Sequence, residues 1–184
     1  MMNMVKGGVC AAKGFKANGI HCGIRKNQSK KDLAMIKSQI RCPAAAVYTQ
    51  NKVYGAPITV TRNNISDGMA QAVIVNSGNA NTCNLDGVEK AERMCEIASQ
   101  ALNVDSKDVI VASTGVIGMT LDVTPIENAA EKLAAQLCEN GGNDAAQAIM
   151  TTDTVSKECA VEFEIGGTVC KMGGIAKGSG MIHP

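Results

Sequence analysis

Two continuous apolar runs, Ala72-Val73-Ile74-Val75 and Val109-Ile110-Val111-Ala112, stand on either side of an amphipathic stretch, and this order limits the fold more than any other feature of the chain. Runs so uniformly apolar suit strands covered on both faces. Between them Val88, Ala91, Met94, Cys95, Ala98, Ala101 and Leu102 recur at helical spacing, which predicts a helix from about Gly87 to Leu102 with one apolar face. Asp86 stands where an N-cap belongs, with Glu89 three residues on in capping-box spacing. Strand, helix and strand in succession argue for α/β layers rather than a helical bundle or an all-β sandwich.

The flanks extend this pattern. Residues 32–36 and 44–49 read as short strands, and Asn63-Asn64 marks a break. Thr124-Pro125-Ile126-Glu127 opens a second helix, with Thr124 as cap and Pro125 at the first helical position. Its inward residues are Ile126, Ala129, Ala130, Leu133 and Leu137, and Gly141-Gly142 stops it. Asn143 caps a shorter third helix ending near Met150. Cys159, Val161, Phe163 and Ile165 then alternate with Ala160, Glu162 and Glu164, the period of a half-covered strand. Gly166-Gly167 is a two-residue hairpin turn, and residues 168–172 return into a glycine-rich tail. No repeat, linker or internal boundary interrupts residues 1–184, so they are read as a single unit.

Composition narrows the function classes. A formal net charge of +1 gives no basic excess for nucleic acid or an anionic membrane surface. Aromatic residues make up 2% of the chain and Trp is absent, which removes base-stacking platforms and leaves the core to Ala, Val, Ile, Leu and Met. Eight Cys without a C-x-x-C pair, and only two His, fit small buried hydrophobes in a reducing compartment rather than a disulfide scaffold or a metal centre. No apolar run has the length of a signal peptide or a membrane span, so a cytoplasmic location is expected.

Three segments have the composition of a site. Ser113-Thr114-Gly115 follows a buried strand, and a hydroxyl beside a glycine N–H can stabilise the oxyanion of acyl transfer. The alternative for these three residues is an ordinary turn. Thr151, in Thr151-Thr152-Asp153-Thr154, can bond a substrate carboxylate or amide, or the end of its own helix. Lys177, among glycines in Gly173-Gly174-Ile175-Ala176-Lys177-Gly178-Ser179-Gly180, can pair with a carboxylate, or lie solvated at the surface. A nucleophile is missing: His21 and His183 have no G-x-S-x-G partner, and no Cys carries a recognisable signature. Groups that hold substrate and stabilise an oxyanion are thus present without an attacking atom, and the glycine-rich tail reads as a strand entering an active site whose other half lies on a different polypeptide.

Six ordered motifs carry a resemblance over nearly the whole chain. They are Gly7-Gly8-Val9 with Ala12-Lys13-Gly14-Phe15; Lys31-Asp32-Leu33-Ala34; Asn76-Ser77-Gly78-Asn79-Ala80-Asn81; Ser113-Thr114-Gly115-Val116-Ile117-Gly118; residues 148–154; and residues 174–182. The sequence resembles the α chain of the ornithine acetyltransferases, the bifunctional glutamate N-acetyltransferases of arginine biosynthesis. The resemblance implies a layered α/β sandwich of mixed sheets with helices outside, completed by a second, β chain. It implies a precursor that cuts itself before a Thr, which heads the β chain and acts as nucleophile. Thr114 and Gly115 are then the oxyanion hole, and Thr151 and Lys177 bind substrate. The implied reaction is ping-pong: acetyl passes from N-acetylornithine to the Thr, and from there to glutamate. No metal or bound cofactor is needed, acetyl-CoA enters as an alternative donor in bifunctional members, and two α and two β chains form a heterotetramer. A related N-terminal-nucleophile amidohydrolase or aminopeptidase, and a non-catalytic anion-binding module, are the rival readings of the same residues.

Overall fold

The computed structural model describes residues 2–180. Its larger sheet has the order β2 (Phe15–Ile20), β3 (Leu33–Pro43), β4 (Met69–Asn79), β5 (Val109–Val116); a smaller one has the order β1 (Met2–Met4), β6 (Lys157–Ile165), β7 (Thr168–Ala176). All neighbours are antiparallel except β4 and β5, which run parallel because α2 (Gly87–Leu102) carries the chain back between them. The α/β layering expected from the strand–helix–strand order is thus the architecture found.

Side-chain alternation decides which layer covers which face. Leu33 and Met35 of β3 and Ala72 and Ile74 of β4 point to one side, where they meet Met94, Cys95 and Ala98 of α2 and Ile126, Ala130 and Leu133 of α3 (Thr124–Ala135). Ala34, Ile36 and Val75 point to the other side, toward Ala145 and Ala148 of α4 (Gly142–Ala148) and Ile175 of β7. Helix α4 packs on β2 and β3 and reaches β6 and β7, so it joins the two sheets while α2 and α3 cover the outer face.

Several local expectations fail for identifiable reasons. Residues 44–49 form no strand: the ladder ends at Pro43, which pairs with Met69 across a register shift. A helix stands instead at α1 (Ala56–Asn64), in a β-branched segment whose pattern does not announce it. Tertiary contacts explain α1. β5 is an edge strand, and the Thr61 hydroxyl donates to Val111 O (2.8 Å) and accepts from Val111 N–H (3.1 Å), while Asn64 Nδ2 donates to Val109 O (2.9 Å). The helix thus satisfies backbone groups that a further strand would have taken.

The caps also differ. Asp86 occupies the N-cap of α2 but its carboxylate makes no capping bond; its backbone, at φ −91°, ψ 8°, is not in the extended conformation that aims a cap. In α3, Val123 is the N-cap, Thr124 is the first helical residue, and Asp122 accepts from Thr124 N–H (2.9 Å). That helix ends at Ala135, well before Gly141-Gly142. Gly141 is instead the N-cap of α4, the place expected for Asn143, which is the second helical residue, and a Cβ on Gly141 would fall 1.8 Å from Ala17 O. The glycine permits the chain to press on β2. All eight Cys are free, and among the described residues no helix is long and apolar enough to cross a membrane.

Candidate functional site

Strand β5 continues past its apolar run, so Ser113, Thr114 and Gly115 lie within the parallel ladder, opposite Asn76, Ser77 and Gly78. The loop composition of Asn76–Asn79 and Ser113–Gly115 therefore belongs to strand ends. Buried amides hold these ends: Asn76 Nδ2 donates to Asn79 O (3.0 Å), and Asn79 Nδ2 to Met119 O (2.9 Å). Ser113 buries its hydroxyl without a partner among the described residues. Thr114 is half-buried, and its hydroxyl bonds no described residue. Gly115 has φ +137°, and a Cβ there would lie 2.3 Å from Gly78 C and 2.6 Å from Asn79 N. Only glycine allows the two strand ends this approach.

From Gly78 the site runs without a gap to the other candidates. Gly78 leaves room for the Arg25 side chain: a Cβ on it would fall 2.9 Å from Arg25 Cγ. The Arg25 guanidinium donates to Met150 O, next to Thr151, and Ser77 Oγ donates to Ala148 O at 2.5 Å. The end of β4 is thereby fastened to the end of α4. Arg25 itself is placed by Asp32, fully buried, which accepts from the backbone N–H groups of Cys22 (2.6 Å), Gly23 (3.3 Å) and Arg25 (2.9 Å). Burial lowers the pKa of the Arg25 guanidinium and nearby Asp32 opposes that shift; an arginine remains charged regardless.

Asp153 is the second organising group. Its side chain is 1% exposed and accepts from Lys157 Nζ (2.7 Å), Gly178 N–H (2.5 Å) and Thr151 N–H (3.2 Å). Burial tends to raise its pKa, but the bonds from Lys157, Gly178 and Thr151 outweigh burial and hold the carboxyl well below the usual carboxylate range. Lys177 Nζ lies 4.0 Å from the same carboxylate and donates to Gly178 O (2.7 Å). One aspartate thus draws Thr151 and Lys177 together, although 26 positions of sequence separate them. Lys177 is half-buried rather than a solvated surface residue, and the Thr151 hydroxyl bonds no described residue.

Sequence reasoning named Thr114, Gly115, Thr151 and Lys177, and the fold brings them to one end of β4, β5 and β7. It missed Arg25 and the roles of Asp32 and Asp153. The available signal was local: Asp153 lies four residues before Lys157, and Asp32 lies in a quoted motif. Their partners Gly178 and Arg25 are not recognisable from any periodicity. Two thiols are held in the protonated, non-nucleophilic form, because burial pushes both Cys22, which also lies beside Asp32, and Cys95 up to about 12. His21 Nδ1 lies 3.1 Å from Asp32 Oδ2 and 3.0 Å from Lys30 O, holding the same loop. His183, and the end of the glycine-rich tail beyond residue 180, lie outside the described residues.

A family model described as the ArgJ family matches residues 16–184. The arginine biosynthesis bifunctional protein ArgJ of Symbiobacterium thermophilum is 46% identical over 185 residues, covering 100% of this chain and 46% of its own length. The glutamate N-acetyltransferase of Methanocaldococcus jannaschii is 42% identical over 185 residues, covering 100% of this chain and 44% of its own. This chain therefore spans about half the length of the curated relatives it matches. Among solved structures, the ArgJ protein of Bacillus halodurans superposes with a TM-score of 0.90 at 40% identity, covering 100% of this chain and 98% of that one. The ornithine acetyltransferase of Mycobacterium tuberculosis, solved with ornithine, gives 0.91 at 33% identity, with coverage of 100% and 98%.

Proposed function

The chain belongs to the ArgJ family, and from that membership we propose that it is one part of an acetyltransferase that moves acetyl from N-acetylornithine to glutamate. The Thr114 hydroxyl and Gly115 N–H stabilise the oxyanion of each tetrahedral intermediate. Thr151 and Lys177 hold the α-carboxylate common to donor and acceptor. The nucleophile is the N-terminal Thr of a β chain cut from the same precursor. Its own α-amino group, with an ordinary pKa near ~8, removes the hydroxyl proton. The hydroxyl oxygen attacks the acetyl carbon, ornithine leaves carrying the proton, and the glutamate amine then takes the acetyl group from the Thr ester. Acetyl-CoA is a second donor, and two α and two β chains assemble.

The observation that carries this reading is the continuity of Gly115, Gly78, Arg25, Thr151, Asp153 and Lys177 at one end of the fold. A partner chain is further supported by an uncovered apolar row on the small sheet. Met4, Val161 and Met172 lie side by side across its strands, and Met4 and Met172 are 73% and 63% exposed.

The test uses the complete protein. N-terminal sequencing of the polypeptide that copurifies with this chain should begin at Thr, and loss of N-acetylornithine should accelerate when glutamate is added. Deacetylation indifferent to glutamate identifies a hydrolase instead, and absence of any Thr-headed companion removes the mechanism. Lys177→Ala should raise KM for both substrates while precursor cleavage proceeds; an unchanged KM takes Lys177 out of the site.

A further inference from the structure

Next to Thr151 the structure has a cavity of about 320 Å³, between the 25–31 loop and residues 147–156. Its lining includes Arg25, Lys30, Lys31, Gln147, Thr151 and Ser156. Its volume is near the lower end for small-molecule sites, enough for a short side chain and not for a nucleotide.

The charges around it do not cancel. Lys31 is paired with Asp144. Asp153, which also faces the cavity, is already held by Lys157, with Lys177 at 4.0 Å. Arg25 uses its guanidinium for one bond, to Met150 O, among the described residues, and Lys30 has no ion pair there. Buried Asp32 lies near Arg25 and offsets part of its charge, but with Lys30 unpaired and both Lys157 and Lys177 beside the single carboxylate of Asp153, positive charge remains in excess around the cavity. Arg25 is also fixed in place: Asp32 holds its backbone N–H at 2.9 Å, and its stem lies across Gly78. A fixed planar fork with unused N–H groups is suited to a carboxylate.

Donor and acceptor differ in the group such a fork would meet. Both carry an α-carboxylate, but the side chain of N-acetylornithine ends in an ammonium and that of glutamate in a second carboxylate. We infer that this cavity is the acceptor's side-chain subsite, with Arg25 donating to the γ-carboxylate of glutamate. The inference rests on the acetyl-transfer reading and adds to it a basis for choosing between the two substrates. It makes Arg25 indifferent or mildly repulsive toward the donor.

The complete enzyme should be assayed with Arg25→Gln and Arg25→Lys, varying donor and acceptor separately, with glutamine as a neutral acceptor of the same shape. Arg25→Gln should raise KM for glutamate roughly tenfold to a hundredfold, the size of a lost hydrogen bond to a charged group. KM for N-acetylornithine should stay within about twofold or fall, since no favourable contact to it is removed. The preference for glutamate over glutamine should collapse, and Arg25→Lys should restore part of it. An equal rise in both KM values makes Arg25 a support of the Thr151 loop and overturns the inference, as does no change in either. If Arg25→Gln does not fold, Arg25→Lys decides: a glutamate-to-donor KM ratio equal to that of the wild type overturns it. Wild-type enzyme that moves acetyl to no amino acid removes the underlying function instead.

Discussion

Gly115 and Asp153 sit in the two halves of the candidate site and hold their surroundings by different means. Around Gly115 the fixed positions are backbone: two parallel strand ends approach until a Cβ would lie 2.3 Å from a carbonyl carbon. Around Asp153 they are electrostatic: a buried carboxylate gathers the Lys157 ammonium and the Thr151 N–H from its own segment and the N–H of Gly178 from 25 positions away. Steric placement tolerates no added atom but is insensitive to pH. Electrostatic placement tolerates a change of shape better than a change of charge. An oxyanion hole needs donors at fixed positions, and a substrate carboxylate needs cations that can adjust to it, so each half is built in a manner that suits the role proposed for it.

Gly115→Ala tests the first half most severely. It adds a Cβ against the Gly78 backbone at a positive φ, and should cost about 3 kcal/mol or more in stability and abolish acetyl transfer. Thermal unfolding with an activity assay would measure this; a stable, active variant would mean that the strand ends can part. Thr114→Val keeps the shape and removes the hydroxyl. It should lower kcat roughly a hundredfold to a thousandfold with Tm and KM nearly unchanged, the signature of a donor used only in the transition state. A kcat like that of the wild type would leave the backbone alone as the oxyanion hole.

The smallest expected effect is in the second half. Asp153→Asn keeps the size but leaves Lys157 and the Gly178 N–H without their anion, costing about 1–2 kcal/mol after allowing for the exposure of Lys157. KM should rise more than kcat falls, because Thr151 and Lys177 lose their common anchor. The pH dependence sharpens the comparison. The Asp153 carboxyl is held below its ordinary pKa, so its stabilisation is fully present above the unfolded value of about 4 and is lost as pH falls below it toward the folded value. The stability gap between wild type and Asp153→Asn should therefore narrow on acidification from about pH 5 to 3, while that for Gly115→Ala should not narrow through this carboxyl. A gap constant in pH would show that Asp153 acts by shape rather than charge.

Parts of this were legible in the residues alone. The helix Gly87–Leu102 was fixed by its spacing, and the hairpin of β6 and β7 by its period of two and its glycine turn. Residues 44–49 were misread because an apolar run indicates a covered segment without showing that a neighbouring strand is available to pair with it. α1 was missed because its β-branched residues have no helical signal of their own, and what stabilises the helix there is the unpaired edge of β5, some 50 positions away along the chain.

The sequence by itself determined the elements whose evidence is periodic and the α/β class that follows from their order, and it nominated Thr114, Gly115, Thr151 and Lys177 as candidates through loop composition and motif. Tertiary structure alone decided that β4 and β5 close on Gly78 and Gly115, that Arg25 lies between them and Thr151, and that Asp153 unites Thr151 with Lys177. The reason is one of range. Side-chain periodicity records a residue's relation to its own helix or strand, whereas a buried charge or a glycine contact is a relation between segments that meet only when the layers pack.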